Sequence, residues 1–301
     1  MELQRALVAG GTGFIGSHLA RRLVLEGYEV LIMSRHAGEG SSAAGSLRRV
    51  PGDVLDLKGL VKTLRGVDVL VIAVQFPGAP VEKPRLGQTY MRVDGQGTVN
   101  LVAAAKTAEV KRIVYISGAG TRPGQRAPWF QAKLVAEEAV RESGIPYTIF
   151  RPSWVYGPED RSLNQFAAFA RRLPFVPVIG SGRTRVQPLL VDDLADAVAI
   201  ALGREAAVNQ TYDIGGPQTL TMDEIIRTML TAMGRHKPLL HTPAWLMKAA
   251  VAPLTLLPSP PFSPGAVDFV LMEEPVDNGP VLHDLGLTLQ PLATGLDYLQ
   301  A

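Results

Sequence analysis

The sequence predicts an α/β protein built on a Rossmann-type doubly wound parallel sheet, followed by a smaller C-terminal mixed α/β substrate lobe. Three observations carry this. A short apolar strand, Arg5 to Ala9, runs directly into Gly10-Gly11-Thr12-Gly13-Phe14-Ile15-Gly16 and then into a helical pattern. Strand and helix patterns then alternate to about residue 150, as a parallel sheet covered on both faces requires. Beyond Arg151 the order changes and prolines become frequent, which marks a loop-rich second part.

The elements follow in order. The glycine turn opens a helix whose unpaired N–H groups and dipole favour an anion, so it suits a pyrophosphate approaching the main chain at Gly10 and Gly13. Gly16 lets the helix pack close to the sheet, and Leu19, Leu23 and Val24 give it an apolar face. Glycines also make ordinary turns, but the strand before, the helix after and the second strand at Tyr28 to Met33 favour dinucleotide binding. A glycine and serine loop from Gly38 to Ser46 leads to a third strand at Arg49 to Val54 and a helix at Leu57 to Leu64. Val67 to Val74 is almost wholly apolar, as a central strand should be. Residues 75–88 read as a loop, Tyr90 to Ala108 as a helix, Arg112 to Ser117 as a strand, Phe130 to Glu142 as a helix and Pro146 to Phe150 as the sixth strand.

In the second part, Ser162 to Leu173 reads as a helix, Val186 to Val191 as a strand, Asp192 to Leu202 as a helix and Thr211 to Ile214 as a further strand. Thr221-Met222-Asp223-Glu224 is a capping box that opens a helix reaching Met233. This divides the chain into a dinucleotide-binding domain at 1–155 and a smaller lobe at 156–301, with some elements shared between them. Trp245 to Leu257 is strongly apolar but too short to span a bilayer, and Lys248 and Pro253 interrupt it. It reads as a helix packed on the lobe or lining a substrate pocket. A membrane-surface element is the lesser alternative, and peripheral association with a membrane or complex stays open.

With 30 basic and 28 acidic residues among 301, the net charge of +2 gives no field that would draw nucleic acid. Absence of cysteine excludes disulfides, thiolate nucleophiles and zinc-thiolate sites. The five histidines show no metal-ligand spacing, and His236 and His241 read as loop residues. A cytoplasmic location is expected, because the first strand begins within a few residues of Met1.

The residue after the second strand selects the cofactor. An acidic residue there accepts hydrogen bonds from the ribose of NAD, but this chain reads Ser34-Arg35-His36. A guanidinium binds a 2′-phosphate bidentately and stacks on adenine, so NADP(H) is favoured over NAD(H). The plain alternative is a solvated surface arginine.

Taken together, Gly10 to Gly16, Gly52-Asp53-Val54, Arg151 to Pro158, Val191 to Ala195 and Asp213 to Gly216 resemble the motifs of the extended and atypical short-chain dehydrogenase/reductases, over nearly the whole chain. The nearest subgroup is similar to the complex I 39 kDa accessory subunit and its bacterial relatives. The resemblance implies cofactor contacts from Gly10, Thr12, Gly13, Phe14, Ile15, Gly16, Ser34, Arg35, Asp53, Val54, Ala73, Val74, Lys133 and Pro152, with Asp53 accepting from the adenine amino group. It also implies catalysis by a tyrosine acid with a lysine four residues later and a nearby Ser or Thr. Here Lys133 stands in the expected helix, but Trp129 occupies the acid's position, and none of the seven tyrosines has a lysine four residues on. An indole cannot hand a proton to an alkoxide. Ser117 ends the fifth strand slightly early for the family's hydroxyl.

Three readings follow. The first is a cofactor-binding, sensing or accessory protein with little or no tyrosine-dependent reductase activity. The second is a reductase of a small hydrophobic, carbonyl or quinone substrate that uses Lys133. The third, well behind, is a nucleotide-sugar epimerase or dehydratase. Lys133 also reads as an ordinary helix-surface lysine, and Ser117 as a plain strand-end residue. Arg183 and Arg185 are either anchors for a phosphorylated substrate or solvated loop charges.

Overall fold

The computed structural model describes residues 4–35, 46–253, 263–273 and 275–300. His36 and most of the Gly38 to Ser46 loop lie outside them, as do Leu254 to Leu257 of the apolar stretch.

The first strand, β1 (Arg5–Ala9), leads through the glycine turn to α1 (Phe14–Leu25), β2 (Glu29–Ser34) and β3 (Leu47–Pro51). Then come α2 (Leu57–Thr63) and β4 (Val69–Ile72). A π-helical turn at Tyr90–Gln96 runs into α3 (Gly97–Thr107), followed by β5 (Arg112–Ile116), α4 (Pro128–Arg141) and β6 (Tyr147–Pro152). The second part contributes β7 (Val155–Tyr156), α5 (Leu163–Arg172), β8 (Val176–Ile179), β9 (Arg185–Val186), β10 (Leu189–Leu190) and α6 (Val191–Gly203). It continues with β11 (Gln210–Ile214), β12 (Leu220–Thr221), α7 (Met222–Ala232) and β13 (Leu239–Thr242). Three short helices follow: α8 (Ala244–Val251), α9 (Pro264–Val270) and α10 (Gly279–Leu285).

Seven strands form one parallel sheet in the order β11-β6-β5-β4-β1-β2-β3, the doubly wound α/β architecture expected from the sequence. Alternation along each strand sorts side chains between two cores. Ala6 and Val8 face α1 and α6 together with Val71, Val114 and Phe150, whereas Leu7 and Ala9 face α2, α3 and α4 together with Leu70, Ile113 and Tyr115. A third core around Tyr156, Val178, Ile225 and Met229 holds the small lobe. The strand order reverses between β1 and β4, and ligands of such sheets bind in the crevice beyond that point.

Several elements differ from the sequence reading. The third strand lies at 47–51, and beyond it Gly52 N–H donates to the Ser34 carbonyl. The expected helix from Tyr90 is π-helical for its first seven residues. Glycines on this run press it onto its neighbours: a Cβ at Gly95 would lie 3.5 Å from Ala132 of α4, and one at Gly97 would lie 2.7 Å from Val54. The expected strand from Val186 is two pairs of residues interrupted at Gln187 and Pro188, where proline offers no N–H to a ladder and the Gln187 side chain accepts from Val276 N–H instead. His241 is not a loop residue; it lies in β13, and its Nε2 is 2.8 Å from Asp223 Oδ1. The capping box at Thr221 forms as the sequence indicates, with Glu224 and Thr221 bonded reciprocally.

The two parts share the central sheet. β11, from the second part, pairs with β6 along five residues, and α6 packs on α1. His18 of α1 is nearly buried between the parts, with Nδ1 2.6 Å from Asp192 Oδ1 and Nε2 2.6 Å from Glu159 Oε2. The apolar stretch at 245 gives α8, whose Val251 is buried, but Trp245 stands 70% exposed and Leu246 46%. The leading side chains Trp245 and Leu246 are therefore exposed rather than packed on the lobe.

Candidate cofactor and active site

The crevice beyond β1 and β4 is shaped by backbone approach. Gly10 has φ +85°, a conformation that favours glycine, and a Cβ there would lie 2.3 Å from the Ala73 carbonyl oxygen at the end of β4. A Cβ on Gly16 would lie 2.2 Å from the Gly10 carbonyl, so the helix start and the turn touch as only glycines allow. α1 begins at Gly13 with no side-chain cap and no acidic residue in its first turn, which leaves its opening N–H groups and dipole to a ligand. Thr12 and Gly13 are exposed at this mouth, with Phe14 and Ile15 half-buried behind them. Ala73 N–H donates to Ala9, and Val74 is buried next to it.

On the β2 side, Ser34 ends the strand half-buried and Arg35 projects exposed beyond it. Asp53 is exposed, with one carboxylate oxygen accepting Leu55 N–H at 3.0 Å. The Val54 carbonyl is held by Asn100 Nδ2. These residues stand where the adenosine half of a dinucleotide would lie. Pro152 is buried at the end of β6, and its carbonyl accepts Ala119 N–H.

On the β5 side, α4 carries Trp129 and Lys133 one turn apart, on one face. Lys133 Nζ donates to the Ile116 carbonyl at 3.1 Å and lies 5.3 Å from the Tyr115 ring centroid. Burial pulls its pKa down, while Asp94 and Glu137 act to restore it. Lys133 is therefore not a solvated surface lysine, since its amine is turned into the sheet edge. Trp129 makes edge contacts with Tyr90 and with Phe269 of α9, ring centroids 6.2 and 5.4 Å apart.

Ser117 donates its hydroxyl proton to Glu137 Oε1 at 2.6 Å. Glu137 is fully buried and also accepts two bonds from Arg151, at 2.8 and 2.7 Å, and one from Arg141 at 2.6 Å. The Ser117 O–H is thus engaged in fastening α4 to the ends of β5 and β6. Arg183 and Arg185 are exposed on the small lobe, with Arg185 in the two-residue strand that pairs with Thr221.

Asp94, which the sequence reading did not single out, is 1% exposed on the π-helical turn. Its Oδ2 accepts Phe76 N–H at 3.0 Å, which ties the turn to the chain just beyond β4. Its pKa is pushed up to about 7 by burial, against Lys133 and the Phe76 N–H, which lower it, and with Glu82, which raises it. Asp94 lies four residues after Tyr90 and seven before Leu101, a spacing that turns all three to one helix face, and a carboxylate on that face was the available signal. Four buried polar atoms in this neighbourhood lack a hydrogen-bond partner: Asp94 Oδ1, Tyr90 Oη, Tyr115 Oη and Trp129 Nε1. The glycine cradle and the uncapped start of α1 fit a nicotinamide dinucleotide laid across the carboxyl edge of the sheet.

Fold and crevice together define a nicotinamide-dinucleotide-binding protein of the Rossmann class. Residues 6–215 match the NAD dependent epimerase/dehydratase family, and the chain belongs to that family, within the extended short-chain dehydrogenase/reductases. It is 28% identical over 254 residues to the mitochondrial NADH dehydrogenase [ubiquinone] 1 alpha subcomplex subunit 9 of Arabidopsis thaliana, covering 82% of this chain and 62% of that protein's length. It is also 28% identical over 256 residues to the 2-alkyl-3-oxoalkanoate reductase of Stenotrophomonas maltophilia, covering 76% of each. Among solved structures, the UDP-glucose 4-epimerase of Thermotoga maritima superposes with TM-score 0.78 at 19% identity over 99% of this chain and 97% of that one, a likeness of fold. Among the described residues, no group of His, Cys, Asp or Glu is placed to hold a metal, and no helix is long and apolar enough to cross a membrane.

Proposed function

We propose that this chain binds NADP(H) across the β1/β4 crevice and serves as a cofactor-binding, sensing or accessory protein with little or no tyrosine-dependent reductase activity. The observation that carries the reading is Trp129. It stands one helical turn before Lys133, packed against Tyr90 and Phe269, where a phenol would have to stand to protonate a developing alkoxide. The bound cofactor would supply hydride. Gly10, Gly13 and the start of α1 would hold its pyrophosphate, Asp53 the adenine and Lys133 the nicotinamide ribose. The similarity to a subunit of an NADH dehydrogenase supports a role as one part of a larger assembly.

A second reading, a reductase of a small hydrophobic, carbonyl or quinone substrate, is favoured by the Lys133 ammonium, whose desolvation makes it a stronger proton donor. The similarity to a 3-oxoalkanoate reductase supports it. One experiment separates the two: fluorescence titration with NADPH and NADH, then absorbance assays with ketones, aldehydes and quinones, on wild type and Trp129→Tyr. Tight NADPH binding without turnover in the wild type, with carbonyl reduction appearing in Trp129→Tyr, is the expected result. Turnover by the wild type would install the second reading. Failure of both nucleotides to bind would end both.

Preference for NADP(H) rests in this proposal on Arg35, exposed at the end of β2 with no carboxylate at that position. Arg35→Asp should weaken NADPH by about tenfold to a hundredfold and leave NADH equal or tighter, since the charge-assisted contact to the 2′-phosphate is replaced by repulsion. An unchanged NADPH affinity in that variant would remove the assignment.

A further inference from the structure

Among the described residues, the carboxyl of Asp94 stands apart. It is buried on a π-helical turn, a distortion of the helix that recurs at functional sites. Only one of its oxygens has a partner, and three more buried polar atoms without partners surround the same place. Its bond to Phe76 N–H fixes it to the chain immediately beyond β4, three residues on from Ala73, whose carbonyl Gly10 approaches. A dinucleotide whose pyrophosphate lies at Gly10, with its adenosine half toward Arg35 and Asp53, must extend its other half across the ends of β4 and β5. That half carries the nicotinamide and would run toward Lys133, in whose field the buried Asp94 carboxyl lies.

Oxidised nicotinamide carries a positive ring charge, and the reduced ring is neutral. We infer that Asp94 makes this site discriminate between the two redox states of its cofactor in a pH-dependent manner, its ionised form favouring the oxidised ring. The inference rests on the dinucleotide-binding reading above and extends it to a redox and proton sensor.

The groups facing Asp94 are few. Lys133 approaches from α4 and favours its anion, Glu82 from the loop after β4 opposes it, and the phenols of Tyr90 and Tyr115 stand on its own turn and on β5. Glu137 of α4 acts on Lys133 and Tyr115 and is itself neutralised by Arg151 and Arg141. Asp94 therefore titrates near neutral pH, with its neutral form present below about 7. A cationic ring bound nearby draws this pKa down, so binding the oxidised cofactor expels a proton and tightens as pH rises.

The test measures Kd for NADP+ and NADPH, and for NAD+ and NADH, between about pH 5.5 and 8.5 on wild type and Asp94→Asn. Taking the ratio of reduced to oxidised Kd cancels whatever the shared phosphates contribute. In the wild type this ratio should rise about tenfold across the range, the consequence of one unit of pKa shift, and it should be flat in Asp94→Asn. Tenfold corresponds to about 30 mV in the midpoint potential of the bound couple. Calorimetric titration of the wild type in buffers of different ionisation enthalpy should show roughly half a proton released with NADP+ near the midpoint and none specific to NADPH, a readout independent of the variant's folding. A flat wild-type ratio with both nucleotides bound overturns the inference alone. A ratio in Asp94→Asn that still follows pH assigns the effect to Lys133 and overturns it too. Absence of all binding in the wild type overturns it together with the reading on which it rests.

Discussion

Gly16→Val should abolish dinucleotide binding and destabilise the protein by about 3 kcal/mol or more, beyond the usual cost of overpacking because the obstacle is backbone. Even the Cβ would sit 2.2 Å from the Gly10 carbonyl oxygen and 2.7 Å from its carbon, and no flexible side chain is there to yield. Relief requires the start of α1 to move away from the turn, which displaces the N–H groups that a pyrophosphate would meet and loosens the packing of Leu19 and Leu23 on the sheet. Gly16→Ala should show the same two effects at smaller size. Chemical denaturation and NADPH fluorescence titration measure them separately. A valine variant of wild-type stability and affinity would show that the close approach of helix and turn is dispensable.

Glu137→Ala should cost about 3 to 5 kcal/mol, the range expected when one member of a buried charge network is removed. The carboxylate is fully buried and receives Ser117, Arg141 and both arms of Arg151, so its loss leaves the Arg151 guanidinium half-buried and unneutralised at the end of β6. Glu137→Gln keeps the shape and should fall in between. Burial alone would raise the Glu137 pKa, but the bonds from Arg151, Ser117 and Arg141 outweigh it and bring it below the ordinary value. A depressed folded-state pKa contributes stability that is fully present above the unfolded value, about 4.3, and is lost as pH falls through the folded value. The wild type should therefore lose stability more steeply than Glu137→Gln below about pH 4. Urea melts of both proteins between neutral and acid pH test this. Equal acid sensitivity, or a loss under about 1 kcal/mol in Glu137→Ala, would contradict the account.

Much of the architecture is written in short-range patterns. The strands at 5–9, 69–72 and 112–116 were legible because their apolar runs of four residues, 6–9, 69–72 and 113–116, have few other uses than a covered parallel strand. The cradle was legible because Gly10 to Gly13 in the turn and Gly16 in the helix it opens follow one another closely, with a strand pattern before them. Less visible was how the second part joins the first. Thr211 to Ile214 reads as a strand, but nothing local states that it joins β6 in the main sheet. The break at Gln187 was missed because the Gln187 side chain takes a distant partner, Val276 N–H, and the π-helical run from Tyr90 has no pattern in the sequence that separates it from an α-helix.

The site divides in the same manner. The sequence by itself determined that Lys133 has no phenol four residues before it, that a glycine turn opens the first helix and that an arginine rather than an acid, Arg35, follows the second strand. These are facts of spacing along the chain, and helical and strand periodicity turn spacing into position without further help. Only the tertiary structure decided which buried charges meet: Glu137 with Arg151 and Ser117, and Asp94 with the chain beyond β4, within the field of Lys133. The cost of a buried charge depends on its desolvation and its partners. Both are set by segments far apart in sequence, brought together only when the sheet closes over its helices.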